Sequence, residues 1–211
     1  MYKFNSGMVG IRAADASFVL DTLTQWNAND PDERLTGKLD LDHVGIFGHS
    51  LGGATAAEAL ATDGRFKAGL SWEGATWGTV AHTALKQPFM YIMTEDTDKS
   101  FDPSSEKVSV FYDEFVGDLK FIMTNSLNDT YYLTVDQFHH QSFTELALLS
   151  PPLFANGLDP VHTVDINRSY AKSFFDRYLK GDTNQPLLDG PSPDFPEVKF
   201  DIRWAYTKKR G

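Results

Sequence analysis

The chain contains no cysteine, which excludes disulfides, thiolate metal sites and cysteine nucleophiles at once. Positive charge is scarce: 19 Lys and Arg stand against 29 Asp and Glu, a net charge of −10. A phosphate backbone demands a basic surface, so a nucleic-acid partner is not expected. No uninterrupted apolar run is long enough to span a bilayer. Met1-Tyr2-Lys3-Phe4-Asn5 lacks the basic, apolar, small-residue order of a signal peptide, which leaves localisation open. Repeats and low-complexity tracts are also missing. What remains is ordinary globular composition, 41% hydrophobic and 23% charged over 211 residues, the size of a single domain spanning 1–211.

Hydrophobic spacing predicts a helix from Ser6 to about Asn27, with Ala16, Val19, Leu20, Leu23 and Trp26 recurring every three or four residues. A polar loop with Pro31 and Gly37 follows, then a short buried strand, Val44-Gly45-Ile46-Phe47. Leu51 to Thr62 is rich in Ala and Leu and reads as a helix closed by Asp63-Gly64. Strands are expected at 66–71, 88–93 and 130–135, and helices at 107–125, 141–149 and 164–179; Gly117 and Asp118 are candidate breaks in the first of these. The tail from Gly181 is rich in Pro, Gly and Asp and should wrap the surface. Strands alternating with helices imply an α/β protein whose mostly parallel sheet is covered by helices.

One stretch carries chemistry. Gly48-His49-Ser50-Leu51-Gly52 is a G-x-S-x-G sequence set between a predicted strand and a predicted helix, the context in which that motif makes a nucleophile elbow. A bare match arises by chance in about one chain in fifteen of this length, so the flanking elements carry the weight. A sharp strand-to-helix turn lifts the serine Oγ out of the sheet and over the positive end of the helix. Ser50 is therefore the candidate nucleophile, and the Leu51 N–H the candidate oxyanion donor.

A serine hydroxyl needs a base. Of six histidines, His43 and His49 lie too close to the turn and read as structural, while His82 and His162 fall in loops without a flanking pattern. His139 and His140 follow the strand at 130–135, at the late end of the sheet; with no third ligand nearby, metal binding is not expected. An acid must then orient the imidazole. Glu73 follows the strand at 66–71, and Glu95, Asp96 and Asp98 follow that at 88–93. Trp72, Trp77 and Phe138 lie beside these positions and could line an acyl pocket or simply be core. No cofactor is implied.

Gly48-His49-Ser50-Leu51-Gly52-Gly53-Ala54, Arg65-Phe66-Lys67-Ala68-Gly69-Leu70 and Glu73-Gly74 together resemble the bacterial and plasma-type platelet-activating factor acetylhydrolases. So do Arg12-Ala13-Ala14-Asp15 upstream and His140-Gln141-Ser142-Phe143-Thr144-Glu145 downstream. The ending at 174–181 and 196–198 is similar to the tails of related bacterial hydrolases. The resemblance runs from Arg12 to about Phe200. It implies an α/β-hydrolase fold and a serine esterase acting on short or oxidised acyl groups of phospholipids, or on another small ester. It selects His140 over His139. It favours Glu73, 23 residues after Ser50, where the family has Asp; Asp96 is the alternative, at the acid position of cutinase-like polyester hydrolases.

That fold has several strands before the nucleophile strand, whereas one helix precedes Val44 here, so the second oxyanion donor has no candidate. The expectation is an N-terminally incomplete α/β hydrolase, with any signal peptide outside this chain and the Val44–Phe47 edge open to self-association. The alternative is a catalytically weak or inactive fragment that serves as a binding module.

Overall fold

The computed structural model describes residues 2–102, 104, 112–155 and 157–200. Helix α1 (Tyr2–Asn29) leads to β1 (Val44–His49), α2 (Leu51–Thr62) and β2 (Phe66–Trp72). A short helix α3 (Val80–Thr83) precedes β3 (Phe89–Thr94), which runs directly into α4 (Glu95–Ser100). Then come α5 (Tyr112–Asn125), β4 (Thr130–Val135) and a 3-10 turn at His140–Phe143. Short helices α6 (Leu146–Leu149) and α7 (Pro151–Phe154), the long α8 (Pro160–Leu179), a 3-10 turn at Pro186–Leu188 and β5 (Val198–Phe200) complete the order.

The five strands lie in sequence order, the first four parallel and β5 antiparallel to β4. Their parallel run follows from helical crossovers between apolar strands, and both sheet faces are covered. Alternate residues of β3 divide between two cores. Phe89, Tyr91 and Met93 pack with Ala13, Leu20, Ala57, Leu60, Leu119 and Ile122 on one face. Met90 and Ile92 pack with Leu133, Phe138, Ile166, Tyr170 and Phe174 under α8 on the other.

Several expected elements extend or shift. Helix α1 starts earlier and buries Val9, Ala13 and Leu20, while Val19 and Trp26 stay 54% and 42% exposed. Ala13 and Leu20 join the core beside Ala57 and Leu60. Residues 107–111 of the expected helix lie outside the described residues, and α5 runs unbroken through Gly117 and Asp118. The helix expected at 141–149 resolves into the 3-10 turn and α6, because Thr144 is extended. The tail adds β5 to the sheet instead of only wrapping it.

At the opposite border β1 is an edge strand. Phe47 on it is 58% exposed, packed edge-on against Trp72. Among the described residues no helix is long and apolar enough to cross a membrane.

Candidate active site

The turn from β1 into α2 is built by close approach. A Cβ on Gly48 would sit 2.3 Å from the carbonyl carbon of Gly52, and one on Gly53 would sit 2.4 Å from Ser71 Oγ. Only glycine lets the helix start this near the strand end. Ser50 between them adopts φ 58°, ψ −123°, a region that costs a non-glycine residue about 1–3 kcal/mol. The surroundings hold it there: Ser50 N donates to Trp72 O at 2.8 Å, and Ser50 O accepts from Gly53 N at 2.9 Å. The Leu51 N–H opens α2, where first-turn amides have no intrahelical acceptor and the helix dipole is positive.

Glu73 follows β2 immediately, also at positive φ (54°), and is 8% exposed. Its N–H donates to Ile92 O at 2.8 Å. Thr94 N donates to one carboxylate oxygen at 2.6 Å and Thr94 Oγ1 to the other at 3.0 Å. Burial pushes the Glu73 carboxyl above its usual range; the Thr97 side chain, Thr94 and the charge of His140 pull the other way. Asp96 sits exposed on the first turn of α4.

His140 opens the 3-10 turn after β4, exposed at the rim of the sheet beside an equally exposed His139. Its ring centroid lies 4.4 Å from that of His49, the residue before Ser50. Burial first, and the neighbouring His140 second, lower the His49 pKa, so His49 is a neutral contact. The turn is pinned from below. Ser142 Oγ accepts from His139 N at 2.9 Å, and Asn167 Nδ2 of α8 donates to Ser142 O at 2.8 Å. These bonds and contacts gather Ser50, Glu73 and His140 at the carboxyl ends of β1, β2 and β4.

The remaining histidines stand elsewhere. His43 bonds Asp40 at 2.8 Å, and His82 is exposed on α3, a single helical turn between loops. His162 is likewise helical, in the first turn of α8, 3.3 Å from Glu197. Trp72 is half-buried between Phe47 and Phe143. Trp77 lines a cavity of about 110 Å³ with Glu73, Thr76, Met93, Phe101 and Phe115. Phe138 is 2% exposed against Phe143, a core position. No strand precedes β1 among the described residues, and no three His, Asp or Glu side chains converge there as a metal would need.

Sequence reasoning missed Thr94, Thr97, Ser142 and Asn167. Thr94 had a local signal, a threonine just before Glu95-Asp96 at a helix start. Asn167, 25 residues from its partner in sequence, had none.

A serine at a strained strand-to-helix bend, on a mostly parallel sheet with helices on both faces, defines an α/β hydrolase. The family model of platelet-activating factor acetylhydrolase, isoform II, matches residues 16–185, and the chain belongs to that family. It is similar to platelet-activating factor acetylhydrolase of Gallus gallus, 25% identical over 191 residues, covering 83% of this chain and 40% of that one. The Cavia porcellus protein of the same name is 34% identical over 82 residues, 38% of this chain and 18% of that one. A probable 1-alkyl-2-acetylglycerophosphocholine esterase of Arthroderma benhamiae is 22% identical, covering 74% of this chain and 43% of its own. Among solved structures, a ferulic acid esterase from Streptomyces cinnamoneus superposes with a TM-score of 0.72 at 26% identity, covering 93% of this chain and 55% of that one. The chain thus spans less than half the length of the relatives named, and 55% of that structure.

Proposed function

We propose that this chain hydrolyses carboxylic esters through an acyl-enzyme. Ser50 Oγ attacks the ester carbonyl while the His140 imidazole takes its proton. The Leu51 N–H meets the developing oxyanion at the start of α2. His140 returns the proton to the departing alcohol, and water repeats the sequence on the acyl group. Glu73 orients the imidazole and balances the imidazolium charge. Its burial at the end of β2, within electrostatic reach of His140, supports it over the exposed Asp96.

The single observation that carries this reading is the Ser50 backbone at φ 58°, ψ −123°. A fold does not hold a serine there for packing alone, because the residue is half-buried and buries little by it. Relatives named for acetylated glycerophosphocholine esters support a small ester or phospholipid-derived acyl group as substrate. Trp77 lines the cavity beside Glu73. The experiment is rapid-mix kinetics with p-nitrophenyl acetate. A burst of nitrophenol followed by steady turnover, both lost in Ser50→Ala, supports the enzyme. Acylation no faster than an ordinary hydroxyl supports instead the non-catalytic module.

The open β1 edge favours one addition: self-association of two copies through that strand, with Phe47 in the joint. Sedimentation should then show a dimer that Phe47→Glu dissociates; a monomer at all concentrations contradicts it.

A further inference from the structure

Glu73 is a long, flexible side chain in a place where its carboxylate must hold one direction. Thr94 grips both of its oxygens, and the Thr97 side chain bonds the same carboxylate. Thr94, 2% exposed at the end of β3, donates its N–H to Oε2 at 2.6 Å and its hydroxyl to Oε1 at 3.0 Å. The same Thr94 Oγ1 accepts from Thr97 N at 3.1 Å, so its own rotamer is fixed as the cap of α4. The backbone is tied to the same strand by the Glu73 N–H to Ile92 O. Two bonds from one neighbour, at fixed separation, leave the carboxylate plane little freedom.

We propose that Thr94 is the positioning residue for Glu73, folding its carboxylate back onto the end of β3 so that the remaining lone pairs serve His140. The proposal rests on the ester-hydrolase reading above and deepens it. Thr94 touches neither substrate nor the reacting atoms; it acts through Glu73.

A second effect follows from burial. The titratable groups that face Glu73 are His140 after β4 and, across the cavity it shares, Asp118 of α5 and the Tyr2 hydroxyl of α1, which bonds Asp118 at 3.2 Å. Among these only His140 carries positive charge, and only when protonated. Hydrogen-bond donation by the Thr97 side chain and by Thr94 therefore opposes burial and favours the ionised carboxylate. Removing a donor from the ionised carboxylate raises the pH at which Glu73 takes up its proton.

The test compares wild type, Thr94→Val, Thr94→Ser, Glu73→Gln and the Thr94→Val/Glu73→Gln double variant on p-nitrophenyl acetate. Thr94→Val should lower kcat about tenfold with KM within about twofold, and move the acidic limb of the pH profile upward. Thr94→Ser should restore both. In the Glu73→Gln background the valine should cost nothing further. Equal losses in both backgrounds, or a loss without movement of the limb, overturn the proposal. Because Thr94→Val also removes the cap of α4, the wild-type Thr94 amide proton gives a reading that needs no variant. Its resonance should titrate together with the acidic limb, and a flat resonance overturns the proposal too. If wild type and Ser50→Ala turn over alike, the hydrolase reading itself has failed. Turnover that needs Ser50 but ignores Thr94→Val removes the role of Thr94 alone.

Discussion

The two glycines that frame Ser50 look equivalent in the motif, yet the structure assigns them opposite consequences. An alanine Cβ at Gly48 would meet the carbonyl carbon and oxygen of Gly52 at 2.3 and 2.4 Å. Both are backbone atoms of the first turn of α2, so neither can rotate away. Restoring ordinary contact near 3.4 Å requires the helix start to move by about an ångström from the strand it follows. We expect Gly48→Ala to destabilise the fold by about 3 kcal/mol or more. For a chain of this length that is a fall in Tm of about 6–12 °C. A Cβ at Gly52 meets nothing within 4 Å. Gly52→Ala lies in the first turn of a helix and should be neutral, or more stable by up to about 1 kcal/mol. Calorimetric melting of the two variants against wild type makes the comparison. Equal destabilisation of both, or a Gly48→Ala variant melting within about 1 °C of wild type, would refute the close-packed elbow.

Three further outcomes follow from the same geometry. Glu73→Gln should lower kcat by at least about tenfold while Asp96→Asn leaves it unchanged, since only Glu73 is buried beside His140; the reverse ranking would move the acid to α4. Asn167→Ala removes the bond from Asn167 Nδ2 to the Ser142 carbonyl, at a cost of about 1 kcal/mol; calorimetry should read this as a lower Tm, and an unchanged Tm would count against the clip between α8 and the His140 turn. The Arg65 side chain holds the Asp63 carboxyl down to about 2, below its usual value. The stability this confers is complete above the ordinary carboxylate range and is lost as pH falls toward 2. Asp63→Asn should flatten that acid dependence in urea titrations, and an unaltered dependence would dismiss the Arg65–Asp63 pair as its source.

Much of the architecture was legible because its signals are local. Alternation of apolar strands with an alanine-rich helix located β1 through β3 and α2 to within a residue or two. The nucleophile turn was equally readable, since glycine, serine and the flanking elements lie within one short span. Helix α1 was harder. Its periodicity ran through Val19 and Trp26, yet the tertiary packing leaves both exposed. The His140 turn was placed by resemblance; what holds it, Asn167, comes from a helix whose own pattern says nothing about a carbonyl 25 residues earlier. The grip of Thr94 on Glu73 spans 21 residues and joins two strand ends that only the parallel register brings side by side. Long-range polar contacts of this kind leave no period in the sequence.

The proposed hydrolysis requires Ser50 to be a nucleophile activated by its fold. The most direct measurement is intact-mass analysis after brief exposure to a fluorophosphonate, with peptide mapping of the adduct. One adduct, on Ser50, is expected in wild type, with none in Ser50→Ala and sharply slowed labelling in His140→Ala. A folded wild-type sample that stays unmodified, or labels at the same rate without His140, contradicts it.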